Sequence, residues 1–449
     1  MTKKNTGYTV FETFVGAGGS HIGFMQENFR TIYVNDFIKE CLETLVYNNP
    51  NLLEEKAMID NTPIENINPK ELRNKLNVKK GEIDVFFGGV VCKSFSLAGE
   101  RNPVDERNYL YKKQLALVEE FLPKISIIEN VPGMFNAKVY LTDNKNDEVV
   151  EEISELWKKI KNYKGKKSAL RKKNEISEEI EKEGKKLKEE KNKLLKKIEN
   201  SKNYISVVED IKRIYKKLGY KVYISTLNSA WYGAATKRER LIIVAVKNEI
   251  DIEFNFPKPK YMNKLIYKSN LPEKYLKLPT PKTVNDALNL IDYSDNEDVD
   301  NFPMKHSEKT ITRFKYIPEG DNIANHIDKL PEELKISKFY SRGATMRLNG
   351  NEPSPTLVPG HSNFPVHPKE HRSITVREAA TITGFPLKYK FFGSHTKRCE
   401  HVGNAVPPPL ARAIAKECVN LLNKYNLEIS RKEKLRKIEA EQIEQLRIL

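Results

Sequence analysis

Cysteine is scarce in this 449-residue chain, which carries only Cys41, Cys92, Cys399 and Cys418. None belongs to a C-x-x-C pair and no histidine cluster stands at zinc-ligand spacing, so no structural metal is expected. No apolar run approaches the ~18 residues of a membrane-spanning helix, and nothing near Met1 resembles an apolar signal segment. The chain is therefore expected to be soluble and cytoplasmic, with reduced thiols. Apolar residues are also few, at 39%, low for one globule but sufficient for a core once a charged segment is set aside. Charge is what abounds: 77 Lys and Arg against 61 Asp and Glu leave a net +16. Such an excess suits a polyanionic partner, nucleic acid or an acidic membrane surface, and equally serves general solubility.

Residues 8–135 alternate short apolar runs with amphipathic stretches. Tyr8–Val15, Thr31–Asn35, Ile83–Gly88 and Ile125–Glu129 are expected strands, the last two almost continuously apolar, as buried parallel strands are. That alternation predicts a doubly wound α/β sheet, whose ligands sit at the carboxyl ends of its strands. From about Asp143 to Lys202 lysine and glutamate dominate, with apolar residues at helical spacing. Two helices turning near Tyr163–Gly165, as an antiparallel coiled coil, are expected there, either as a solvated insertion or in contact with DNA. The α/β pattern returns over Val207–Val246, gives way to an irregular stretch from Lys247 to about Phe364, and resumes with "TVREAATITG" and "PPPLARAIAKECVNLLNKY". A charged, helical tail from Ile429 to Leu449 closes the chain.

Four segments carry residues with chemical potential. "TFVGAGGSHIGF" places Gly16, Gly18 and Gly19 at a strand end, with Asp36 about 20 residues on, where it suits a ribose diol. His21 occupies the third glycine of the dinucleotide fingerprint, so an adenosyl pocket and a plain tight turn both remain open. "GGVVCKSFSLAGERN" puts Cys92 in a strand-exit loop with Lys93, Arg101 and Arg107, a setting that favours thiolate, although a buried packing role is the ordinary fate of a cysteine. "SIIENVPGMF" ends an apolar strand with Glu129, whose carboxyl is expected to hold its proton to higher pH than usual. "YGAATKRERLIIVAV" sets Arg238 and Arg240 two apart on one strand face, for a site or for structural salt bridges, with Glu239 turned away.

The order and wording of these blocks resemble the DNA cytosine-5 methyltransferase family. "FVGAGG" is similar to its cofactor loop, "GGVVCKSFS" to its nucleophile loop, "IIENV" to its acid motif and "YGAATKRER" to its arginine motif. "RSITVREAATITGFP" and "HVGNAVPPPLARAIA" resemble its two closing motifs. The resemblance covers roughly residues 8–135, 205–250 and 353–420. It implies a Rossmann-like sheet that binds S-adenosylmethionine, with a smaller irregular target-recognition domain and the helical insertion. The implied divisions are 1–142 and 204–250 for the catalytic domain, 143–203 for the insertion, 251–370 for target recognition and 371–449 for the returning motifs.

By that resemblance Phe14, Gly16, Gly18, Asp36, Phe37, Asp60, Leu110 and Asn404 hold the cofactor. Cys92 is the nucleophile, Glu129 the acid, Arg240 the contact to the base O2, and Arg238 a support to the site or to a nearby phosphate. Ser96 and Arg101, on the mobile loop 93–109, would touch the DNA backbone, and Thr356-Leu357 would stand near the base-reading loops. The implied partner is double-stranded DNA, with a cognate restriction endonuclease as functional partner, no membrane, and action as a monomer near the nucleoid. Val91 and Lys93 replace the family's usual proline and glutamine beside the cysteine, and Thr236 a common glutamine. His361, His367 and His371 are expected to be structural or to contact phosphate. A tRNA cytosine-5 methyltransferase on the same catalytic domain is the nearest rival, a silent DNA-binding protein or scaffold another. A nicotinamide-dependent oxidoreductase is disfavoured by His21 and the cysteine loop.

Overall fold

The computed structural model describes residues 7–90, 102–142, 144, 147–173, 175, 177–262, 273–275, 277–336, 345–360 and 364–448. These divide into two compact units. The larger comprises the chain up to Gly89, Ala116–Glu129 and Tyr220–Leu449, and holds a seven-stranded sheet.

The first five strands are β1 (Thr9–Thr13), β2 (Arg30–Asn35), β3 (Met58–Asp60), β4 (Val85–Gly89) and β5 (Ile125–Asn130). In the smaller unit follow β6 (Lys138–Tyr140) and β7 (Tyr204–Ser206), and the sheet is completed by β8 (Tyr220–Asn228) and β9 (Glu239–Lys247). The strand order is β3-β2-β1-β4-β5-β9-β8. β1 pairs in parallel with both β2 and β4, and β4 with β5, while β8 and β9 are antiparallel.

Both sheet faces are buried, which is why the strands read as apolar runs rather than as an alternation. On one face Val10, Val85, Phe87, Ile127, Ile242 and Val244 join a core with the helices Gly19–Gln26 and Pro408–Ile448. On the other, the Phe11 ring stacks on Tyr33 at 4.3 Å and on Phe86 at 4.6 Å. The strand order reverses between β1 and β4, the kind of position at which doubly wound sheets hold their ligands.

The smaller unit, Val90–Leu115 and Asn130–Gly219, carries the antiparallel pair β6–β7 and a helical hairpin. Its helices span Glu148–Lys173 and Glu178–Ile198. Ion pairs Glu152–Lys197, Lys166–Glu183 and Lys167–Glu181 show that they run antiparallel. Ile153, Leu156, Trp157, Leu194 and Ile198 form the seam with Tyr140. The turn expected near Tyr163–Gly165 is not there: the first helix continues through Gly165 to Lys173. A helical glycine costs only about 1 kcal/mol, and Tyr163, packed against Gly184 of the partner helix, carries the seam past it.

From β9 to about Ser373 the described chain is irregular, with short helices and isolated bridges. Buried Arg347 holds much of it, donating to the carbonyls of Phe314, Ile317, His367 and Glu370. Among the described residues no helix is long and apolar enough to cross a membrane, and no group of His, Cys, Asp and Glu is placed to hold a metal.

Candidate active site

The loop after β1 leaves the sheet through three residues in the left-handed region: Phe14 at φ 53°, Gly16 at φ 54° and Gly18 at φ 90°. For Phe14 that conformation is strained, and such strain concentrates at functional sites. The two glycines differ in surroundings. A Cβ on Gly18 would lie 2.6 Å from Tyr389 Oη, which donates to the Ala17 carbonyl and pins the loop, whereas a Cβ on Gly16 would meet nothing within 4 Å. Gly16 therefore exposes bare backbone to open space.

Asp36, just past β2, accepts from Gly16 N–H at 2.9 Å through Oδ2 and from Ile38 N–H at 2.9 Å through Oδ1. Burial raises its pKa against the pull of those two donors. The next side chain, Phe37, is 58% exposed. Asp60, at the end of β3, accepts from the Tyr33 hydroxyl at 2.8 Å and from Thr62 N–H at 2.9 Å. Asn404 ends the helix His395–Asn404 with its side chain exposed. Leu110 is buried and belongs to the smaller unit.

Beneath the loop lies a group that sequence reasoning missed. His21 Nδ1 is 2.8 Å from Glu12 Oε2, and Ser20 Oγ donates to Glu12 Oε1 at 2.9 Å. Glu12 and His21 are fully buried. A carboxylate on a core strand and a histidine on the following apolar helix are each unfavourable alone, and that coincidence was the available signal.

At the end of β5, Glu129 Oε1 lies 2.8 Å from Arg240 Nε. Arg240 also donates to the Glu239 carbonyl, while Glu239 itself is exposed, as its alternate position on the strand requires. Burial raises the Glu129 pKa, and the guanidinium groups of Arg240 and Arg238 oppose the rise without overcoming it. Arg238, immediately before β9, donates to the Leu357 carbonyl at 3.1 Å. Thr236 bridges Ser354 in parallel, and the exposed Thr356 hydroxyl donates to the Lys237 carbonyl at 3.4 Å. Residues 354–357 thus lie along the arginine segment, with Leu357 buried and Thr356 facing solvent.

Cys92, Ser96 and Arg101, with Val91 and Lys93, lie outside the described residues, as does His361. The other three cysteines are buried and free. Burial pushes the Cys399 thiol up to about 12, and the Cys41 and Cys418 thiols higher still. None of the three is suited to act as a thiolate nucleophile. His367 is buried and accepts backbone N–H bonds from Lys369 and Glu370, and His371 lies 3.1 Å from Arg347. His367 is thus built into the scaffold, while His371 is exposed.

A model of the C-5 cytosine-specific DNA methylase family matches residues 8–156 and 187–420. The chain belongs to that family. Among curated relatives, Type II methyltransferase M.Eco47II of Escherichia coli is 26% identical, over 94% of this chain and 81% of that protein. Type II methyltransferase M.Sau96I of Staphylococcus aureus is likewise 26% identical, over 94% and 78%. Two solved structures share the fold. One is a candidate DNA modification methyltransferase from an E. coli prophage, at 20% identity and TM-score 0.55, covering 93% of this chain and 99% of that one. The other is a DNMT2 variant of Spodoptera frugiperda, at 13% identity and TM-score 0.50, covering 92% and 99%. The expected α/β methyltransferase architecture is thus the observed one.

Proposed function

We propose that this chain methylates C5 of a cytosine flipped out of duplex DNA, using S-adenosylmethionine, as the protective methylase of a restriction-modification system. The observation that carries the reading is the buried Glu129–Arg240 pair at a strand end of a sheet built like the methylase family's.

The residues after β1 and β2 fit an adenosyl cofactor. Gly16 offers open backbone, buried Asp36 sits where a ribose diol is held, and the exposed Phe37 ring offers a stacking face for adenine. Asp60 suits the adenine amino group; Phe14, Gly18, Leu110 and Asn404 would complete the pocket. When bound, S-adenosylmethionine supplies an electrophilic methyl group.

The target base must leave the stack, at a few kcal/mol, before its ring can be attacked. The Cys92 thiolate forms a bond to C6, and a proton from Glu129 to N3 takes up the developing negative charge. C5 thereby becomes nucleophilic. Once C5 carries the methyl group, loss of its proton to solvent restores the C5–C6 double bond and expels the thiolate, and the N3 proton returns to Glu129. Arg240 orients the base through O2 while holding Glu129, and Arg238 ties that site to residues 354–357. Ser96, Arg101, Thr356 and Leu357 would contact the DNA. The enzyme works as a monomer on cytoplasmic, nucleoid DNA, and its functional counterpart is an endonuclease of the same specificity.

Bisulfite sequencing of genomic DNA from cells expressing the chain tests this. Conversion-resistant cytosines in one fixed sequence context are expected. Unmodified DNA, with methylated cytosine in tRNA instead, would overturn the DNA assignment.

A further inference from the structure

The residues proposed to hold the cofactor come from segments far apart in the chain. Asp36 and Phe37 follow β2 and precede the helix Lys39–Asn48, whereas Asn404 ends the helix His395–Asn404. Where these two helices meet, His401 Nδ1 lies 3.3 Å from Cys41 Sγ, although 360 residues separate them in sequence. Each residue is only 4% exposed. Burial keeps the imidazole neutral and the thiol protonated, so the contact is a hydrogen bond between uncharged groups. Neither residue has a part in the proposed methyl transfer.

Both ends of the contact continue toward the cofactor residues. Cys41 N–H donates to the Ile38 carbonyl at 3.0 Å, Ile38 N–H donates to Asp36 Oδ1, and Gly16 N–H donates to Asp36 Oδ2. His401 stands three residues before Asn404, close to one helical turn. Its helix is tightly seated, because a Cβ on Gly403 would lie 2.4 Å from Pro359 Cα. The segment leading into it is fastened to the helix Lys39–Asn48: Phe392 N–H donates to Thr44 Oγ1 at 3.0 Å, and the Asn48 side chain exchanges hydrogen bonds with the Lys390 backbone. Apolar side chains would fill the space between the helices without setting a direction. A buried polar pair sets one, since each group depends on the other for its hydrogen bond.

We propose that the His401–Cys41 contact is a positioning device for S-adenosylmethionine: it fixes the start of the helix Lys39–Asn48, and with it Asp36 and Phe37, relative to Asn404. It rests on the reading of these three residues as holders of the cofactor. Without the contact each holder stays on its own segment, but the two halves of the pocket are free to shift against each other. Binding must then supply that ordering, and affinity falls.

The test titrates full-length protein with S-adenosylmethionine by calorimetry, in the absence of DNA, for wild type, Cys41→Ala and Cys41→Ser. The alanine variant is expected to bind about two- to tenfold more weakly, the range that one neutral hydrogen bond covers, and serine to recover most of that loss. A cysteine that only fills space would give the opposite order, because a buried serine is no better a filler than alanine. Amide exchange of the ligand-free proteins reads the same device without the cofactor: Ile38 and Gly16 should exchange faster in Cys41→Ala, with Val34 and Phe87 on the neighbouring strands unchanged. Should Cys41→Ala fail to fold, His401→Gln against His401→Leu reads the same difference from the other side, with glutamine the tighter binder. Equal affinities for wild type and Cys41→Ala, a serine or glutamine variant no better than its apolar counterpart, or unaltered exchange at Ile38 and Gly16 would overturn the proposal. If the wild type binds no S-adenosylmethionine, the functional reading fails; if it binds and the variants bind equally well, only this inference fails.

Discussion

Glu129 Oε1 lies 2.8 Å from Arg240 Nε, with each residue only 7% exposed. A carboxyl and a guanidinium so placed are mutually dependent, because either alone would be a buried group without its partner. Arg240→Ala is expected to lose activity and about 3–5 kcal/mol of stability. Glu129→Gln should lower the methylation rate by about 10²–10⁴ with a smaller effect on folding. The double variant should recover stability relative to Arg240→Ala without recovering activity. Thermal unfolding and single-turnover methylation of the three proteins check this; additive stability losses would show that the pair is not coupled.

The two loop glycines should separate folding from cofactor binding. Both require a backbone that costs an alanine about 1–2 kcal/mol, but only at Gly18 would the new methyl strike Tyr389 and Leu45. Gly18→Ala should therefore lower the melting temperature clearly more than Gly16→Ala. Gly16→Ala should keep the fold and weaken S-adenosylmethionine binding, read by calorimetry. Equal melting temperatures would contradict the role given to Tyr389.

Burial holds the Asp36 carboxyl above the ordinary aspartate range, so it gains its proton at a higher pH than a free aspartate would. A protonated Asp36 is a poorer acceptor for a diol, so cofactor affinity should fall as pH is lowered through that raised value. Stability linkage runs the other way: this group's contribution is complete below the unfolded pKa and is lost as pH rises through the folded one. Asp36→Asn should bind weakly with a flattened pH profile. Calorimetric titration with S-adenosylmethionine from acidic to neutral pH measures it, and an unaltered profile in the variant would assign the dependence elsewhere.

His21 partners Glu12 where neither reaches solvent. Replacing His21 with leucine leaves the Glu12 acceptor unsatisfied and should cost about 1–3 kcal/mol, with glutamine retaining part of the bond. Because the pair underlies the cofactor loop and touches no reacting atom, the KM for S-adenosylmethionine should rise while kcat at saturation changes little. A selective fall in kcat would refute that positioning role.

Local patterns carried much of this architecture. Strands buried on both faces announce themselves as apolar runs, so β1, β2, β4 and β5 emerged within two residues of their expected ends, and Glu129 could be placed at a strand terminus. The hairpin turn was misjudged because Gly165 is a weak helix breaker when a packed seam runs through it. Contacts between distant segments left no local trace. Arg238 meets Leu357 across a separation of 119 residues, and the Thr236–Ser354 bridge beside it joins irregular chain that has no period to read. The Glu12–His21 pair was hidden for a different reason: each residue looked like an exception until the fold put them together.

The central claim is a covalent bond between Cys92 and cytosine C6. The direct measurement is incubation of the protein and S-adenosylmethionine with a duplex carrying 5-fluorocytosine at the methylated position, followed by mass spectrometry of the digested adduct. Fluorine cannot leave as the proton does, so the account predicts a stable nucleotide adduct on the Cys92 peptide and none with Cys92→Ala. Continued methylation of ordinary duplex by Cys92→Ala, or an adduct on another residue, would contradict it.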